Sequence, residues 1–414
     1  MSPSPTYQTP DPPVSGTESL ESHQRPYRWV MLLLLWLVYF SHGITSRSIS
    51  PLVTPLLKDL NMLYGQMGFV LGSWQLSYVA VAIFAGILLD RWGIRKSLFL
   101  GILVIGLSVL LRYFVTGFTT LLFTVVLFGV GGPMISIGAP KAISLWFRGK
   151  DRGTAVGIYS TGSRIGQIAA LAATNGMIMP LTGNSWRLTF ALYGFFIIGV
   201  ALLWRGAARD ASPATEAGRL SINQVLVKLI RSRQVRIVLL GGILTFSITH
   251  GFTNWLPKLL ETRGLTPAMA GYGAAAPLLA SIPSIIFIPR LVPAHRRGRA
   301  VAFLALLAAT SIMLVTTAFS PLIFGLILFG IATTALQPMF MLILMDLPEV
   351  GPEHMGAAGG IYFTIAEIGG FLGPFLVGAL VDITGSFLAG ASILALMGVC
   401  IFTMILTLRP HEQT

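Results

Sequence analysis

A run of about twenty apolar residues recurs along almost the whole of this chain, and that recurrence limits what it can fold into. About twenty residues at 1.5 Å rise cross the hydrocarbon core of a bilayer, and in lipid a helix is one of only two ways to satisfy every backbone polar group. The runs are read at 29–56, 64–89, 97–116, 119–144, 153–180, 187–205, 235–260, 267–290, 299–318, 321–345, 355–382 and 386–408. Charged residues are 10% of the chain, against about 25% in soluble domains. So little charge cannot cover a water-facing surface, and the expected surface is therefore lipid.

The formal net charge of +13 is explained by its distribution. Of the 28 basic residues, 21 fall on the side of both termini, among them Arg91, Arg95, Lys96, Arg231, Arg233, Arg236, Arg296, Arg297 and Arg299. Lys58, Arg112, Arg187, Lys258 and Arg263 fall on the other side, and Arg47 and Arg164 lie within spans. Such an imbalance predicts cytoplasmic termini in a multi-pass protein of a cell (inner) membrane. It is a topological signal and predicts no nucleic-acid partner.

The organisation expected is a disordered cytoplasmic tail (1–27), a six-helix half (28–205), a cytoplasmic linker (206–235), a second six-helix half (236–409) and a short tail (410–414). The first tail is rich in Pro, Ser and Thr without an apolar core, unlike a cleaved signal peptide. In the linker, Ser221 with Gln224 fits a capping box, and Ile222, Val225, Leu226, Leu229 and Ile230 share a helical face. A short amphipathic helix along the inner membrane surface is predicted there.

The halves repeat one another. Gly153, Ala155, Gly157, Ile158, Tyr159, Thr161, Ile165 and Gly166 recur 203 residues later as Gly356, Ala358, Gly360, Ile361, Tyr362, Thr364, Ile368 and Gly369. His42-Gly43-Ile44-Thr45 recurs 208 residues later as His250-Gly251-Phe252-Thr253. The fold class predicted is an all-α membrane protein, twelve transmembrane helices in two pseudo-symmetric six-helix halves, with a site between them.

The loop after the second span reads Gly86-Ile-Leu-Leu-Asp90-Arg91-Trp-Gly93-Ile-Arg95-Lys96. It resembles the loop motif of the major facilitator superfamily at every specified position, and the resemblance extends from Trp29 to Leu408. The resemblance implies the major facilitator fold, and a loop that stabilises one access state. In physical terms Gly93 makes a tight turn, Asp90 pairs with arginines or a helix N-terminus, and Arg95 and Lys96 anchor at the interface. Arg47 and Pro55, eight residues apart, resemble the first span of the organic-anion branch, which includes hexuronate and glycerol-3-phosphate carriers. There the arginine meets the substrate's anionic group. Trp146-Phe147 and Trp255-Leu256-Pro257 are similar to cyanate-permease-like carriers. The arginine that many members carry in the fourth span is missing from Leu127 to Pro133, and the fifth span lacks the Gly-Pro motif of drug/proton antiporters.

Charge deep in a span costs about 3 kcal/mol or more and is usually functional. Arg164 lies eleven residues beyond Gly153, about 16 Å into its span, and Glu367 occupies the repeat-equivalent position. The two form either an ion pair or a divided site. His42 and His250 are also equivalent and titrate near physiological pH, which makes them, with Glu367, candidates for proton coupling. Arg47 is a substrate ligand or an interfacial side chain that snorkels. Gln75, Tyr159, Tyr362, Asn254 and Gln337 are further substrate-binding candidates. Glycines of the fifth and eleventh spans are expected to allow close helix contact.

The leading function is secondary transport of a small organic anion of carboxylate type, by alternating access, proton-coupled or exchanging. A drug/proton antiporter, with Glu367 taking a proton or a cation, is the second reading. No phosphate loop is present, since Gly149-Lys150 lacks both its leading glycine and its hydroxyl, which argues against ATP-driven transport. The single cysteine, Cys400, excludes an intrachain disulfide, and no metal-ligand or nucleophile–base constellation is legible. No cofactor, no metal and no enzymatic activity are expected. The partners expected are a small-molecule substrate, protons and the lipid bilayer, around a monomer.

Overall fold

The computed structural model describes residues 15–210, 232–317, 321–347 and 350–407, with side chains from Tyr27 onward except at 351–357. The amphipathic helix expected within the linker lies outside the described residues.

Among those residues the chain is helical throughout. The first span is Ser15–Arg47. The second and third form one helix, Tyr64–Leu110, which turns at Gly93 with φ 77° and ψ 170°. The fourth is Phe118–Trp146. The fifth is Gly149–Ala173, continued by a π turn, Thr174–Ile178, to Met179–Leu181. Trp186–Ala207 is the sixth and Arg233–Thr262 the seventh. Then come Pro267–Leu291, Arg297–Thr317, Leu322–Asp346, Gly351–Thr384 and Phe387–Ile405. Among the described residues ten helices are long and apolar enough to cross a membrane. Dividing the second of these at Gly93 and adding the fifth span, whose hydropathy is lowered by Ser160, Thr161, Ser163, Arg164 and Gln167, is consistent with the twelve predicted.

The first helix begins at Ser15, ahead of the apolar run read from residue 29. Once a span is helical, adding residues is cheap because nucleation has already been met. The sixth, eighth and twelfth spans start with a hydroxyl cap. Ser185, Thr266 and Ser386 each accept a hydrogen bond from a first-turn backbone N–H.

Packing repeats in the two halves. The first span lies on the fifth and the seventh on the eleventh; the third lies on the sixth and the ninth on the twelfth. Four glycines of the fifth and eleventh spans serve these contacts. A β-carbon on Gly162 or Gly166 would collide with the backbone of Trp36 or Phe40. On Gly369 or Gly373 it would collide with the backbone of Ile243 or Ser247. Between halves, the second span meets the eleventh and the fifth meets the eighth, again a pseudo-symmetric pair.

At the arginine-rich end the loop motif forms a compact turn. Asp90 pairs with Lys141 of the fourth span at 2.7 Å, a lysine where an arginine or helix N-terminus was expected. The Arg95 backbone N–H reaches Asp210 Oδ1 at 3.3 Å, and its guanidinium donates to Arg205 O at 2.7 Å. At the far end Arg112 is not an interfacial cation. It is wholly buried, donating to Ser48 Oγ at 2.9 Å and lying over the Phe190 ring.

Candidate functional site

A cavity of about 370 Å³ lies between the halves. From the first half, Arg47 of the first span and Ser160, Ser163, Arg164 and Gln167 of the fifth line it. The fifth-span residues stand at i, i+3, i+4 and i+7, one face of a helix. From the second half come Thr245, Thr249, His250 and Thr253 of the seventh span, Thr333, Thr334 and Gln337 of the tenth, and Phe363 and Glu367 of the eleventh.

Three of these five threonines share a local geometry. Thr249 donates to Thr245 O at 2.8 Å, Thr253 to Thr249 O at 2.6 Å, and Thr333 to Phe329 O at 2.7 Å. Each hydroxyl proton is used within its own helix, so each oxygen is left as an acceptor. Such a wall suits a ligand carrying hydroxyl groups.

The cavity's charges are not paired with one another. Arg164 Nη1 donates to Ser281 Oγ of the eighth span at 2.6 Å. Arg47 Nη1 donates to Asn254 Oδ1 of the seventh at 2.6 Å, with Gln167 Oε1 3.5 Å from its Nε. Glu367 Oε2 is buried with no hydrogen-bond partner. Arg164 and Glu367 do not form an ion pair in this structure. Arg47 is 7% exposed and turned inward, so it does not snorkel to the interface.

The other candidates separate into two groups. His250 and Gln337 line the cavity. Gln75 is buried and reaches across from the second span to His250 Nδ1 at 3.2 Å. His42 does not line the cavity. Its ring packs on Trp74 and Phe128 within the first half. Tyr159 and Tyr362 are likewise buried outside it, Tyr159 edge-on to Tyr39 and Tyr362 against Gly242. Asn254 contacts Arg47 and Ser50. Sequence reasoning passed over Ser163, Gln167, Thr249, Thr253 and Thr333, whose signal was a polar stripe at helical spacing inside apolar spans.

The far end of the cavity is sealed by contacts between halves. Thr54 bonds Glu261; the backbone N–H groups of Tyr64 and Gly65 donate to Asp382 at 2.9 and 2.6 Å; and Asn175 Nδ2 bridges Pro51 O and Pro267 O. Toward the arginine-rich end, Gly157 of the fifth span and Gly360 of the eleventh face open space. A β-carbon on Gly157 or Gly360 would meet nothing within 4 Å.

Two six-helix halves enclosing a polar, charge-bearing cavity, sealed at one end, define a polytopic membrane carrier. The chain belongs to the Major Facilitator Superfamily, whose sequence profile matches residues 35–374. It is a membrane transporter and not an enzyme. It is 26% identical over 396 residues to a hexuronate transporter of Bacillus subtilis, covering 88% of this chain and 90% of that one. It is 22% identical to a D-galactonate transporter of Escherichia coli, covering 85% and 89%. Among solved structures, a nucleoside transporter superposes with a TM-score of 0.77 at 15% identity, covering 91% of this chain and 98% of that one.

Proposed function

We propose that this chain is a secondary carrier of small hydroxylated organic acids, working by alternating access and driven by protons or by exchange. The observation that carries the reading is a hydroxyl-rich cavity between the halves that holds two arginines without a carboxylate partner among the described residues. A guanidinium binds a carboxylate through charge-assisted, often bidentate bonds. The acceptor oxygens of Thr249, Thr253 and Thr333 suit the hydroxyls of the same ligand. Relatives that carry hexuronate and D-galactonate support this substrate class. By the charge rule the arginine-rich end faces the cytoplasm, so a cavity sealed at the far end corresponds to an inward-facing state.

Glu367 and His250 are the groups in the cavity placed to carry a proton. With Glu367 ionised, the two arginines and the carboxylate leave one net positive charge; with it protonated they leave two. Proton binding at Glu367 therefore favours an anion in the cavity, which is the sign required of a symporter.

The experiment is uptake of labelled D-glucuronate and D-galactonate into proteoliposomes, under an imposed pH gradient and by counterflow at equal pH. Counterflow of either acid with accumulation under the gradient is the expected result. Counterflow without accumulation makes the protein an exchanger. Absence of both, with proton-driven movement of a cationic dye, replaces the organic-acid reading by the antiporter reading.

A further inference from the structure

Both cavity arginines belong to the first half, and each is held by one neutral side chain of the second. Asn254 Oδ1 accepts from Arg47, and Ser281 Oγ accepts from Arg164, each at 2.6 Å. Asn254 is 2% exposed and Ser281 1%. A guanidinium carries only donors, so the amide oxygen of Asn254 must face Arg47. Its Nδ2 is then buried without a partner among the described residues. Ser281 in turn donates to Leu278 O at 2.6 Å, which directs its oxygen lone pairs toward Arg164. Glu367 lines the same cavity yet pairs with neither arginine.

A neutral acceptor acts differently here from an acid. A carboxylate beside either guanidinium would form a short ion pair and compensate its charge. A substrate anion would then have to displace an internal anion before gaining anything. An amide or hydroxyl fixes the direction of the guanidinium through one bond, leaving its charge and remaining N–H groups for a ligand. These bonds also join the two halves, and a bond from a neutral acceptor is easier to break in each transport cycle than a buried ion pair.

We infer that Asn254 and Ser281 are positioning residues of the anion site, which orient Arg47 and Arg164 across the interface between halves while leaving both charges uncompensated. The inference rests on reading the cavity as an organic-acid site.

Asn254→Asp is nearly isosteric and keeps the acceptor, so it isolates the charge. Binding of D-galactonate and D-glucuronate to purified full-length protein is measured by calorimetry, beside thermal melting, for wild type, Asn254→Ala and Asn254→Asp. Asn254→Ala is expected to raise Kd about tenfold through loss of orientation. Asn254→Asp is expected to raise it about a hundredfold or more, while melting at or above the Asn254→Ala protein. Binding and stability then rank the two variants oppositely, which a merely structural role does not produce. Ser281→Ala and Ser281→Asp repeat the comparison at Arg164. If wild type binds either acid and Asn254→Asp binds it within about threefold, or if Kd simply follows melting temperature across the variants, the inference is overturned. Wild type that binds neither acid overturns the organic-acid reading, and this inference with it.

Discussion

Arg164 and Glu367 sit 203 residues apart at equivalent positions of the repeat, and each has its own surroundings. Arg164 turns to Ser281, while Glu367 Oε2 is left without a partner. An unpaired arrangement makes the two substitutions separable. Arg164→Ala is expected to abolish detectable acid binding. Arg164→Lys should weaken it about tenfold, because a point charge does not reproduce the planar fork. The exchanged variant, Glu at 164 with Arg at 367, should recover nothing in a counterflow assay; recovery would indicate that the pair forms elsewhere in the cycle. At Glu367 the informative change is Glu367→Gln, which is expected to abolish accumulation under a pH gradient and leave counterflow intact. Retained accumulation in that variant would move the coupling role to His250.

Among the helical elements, the start of the second span depends on the other half of the molecule. Leu63 occupies its N-cap position and has no side-chain acceptor. Gln66 takes up the Leu63 N–H at 3.0 Å, but the N–H groups of Tyr64 and Gly65 go to Asp382 at the end of the eleventh span. This cap exists only while the far end is sealed. Removing a capping side chain costs about 1 kcal/mol, here from one access state alone. Asp382→Ala should therefore shift the population about fivefold toward a state open at the far end. Spin labels at Leu63 and Ile383, both exposed on those span ends, would report it as a growing long-distance fraction. An unchanged distance distribution would remove Asp382 from the gating contacts.

For the molecule as a whole, the testable property is sidedness. Cysteines placed at Arg95 and Arg297, in protein with Cys400 replaced, should react with an impermeant reagent only from the cytoplasmic side. Cysteines at Lys58 and Arg263 should react only from outside. Reaction of all four from one side would sink both the topology and the inward-facing assignment. Alternating access adds a second expectation: substrate that favours the occluded or outward state should slow labelling of a cysteine at Gly157, where the fifth span is open.

Much of this architecture is determined by the sequence alone, because lipid leaves a chain few choices. Apolar runs of about twenty residues must become helices, basic residues collect at one end, and the offset of 203 residues between Gly153–Gly166 and Gly356–Gly369 reveals two related halves. Depth along a helix is also a one-dimensional property, so Arg164, Glu367 and His250 were legible as intramembrane polar groups. What depth does not contain is rotation about the helix axis and the placement of one half against the other. Those decided that His42 packs on Trp74 and Phe128 while its repeat partner His250 faces the cavity. They turned Arg47 inward to Asn254 and gave Arg164 a serine for its neighbour and not Glu367. They also buried Tyr159 and Tyr362 in contacts between helices. Each of these partnerships joins residues more than a hundred positions apart, or on different spans, through the packing of rigid helices. That packing is set by the summed fit of whole faces, which local sequence does not contain.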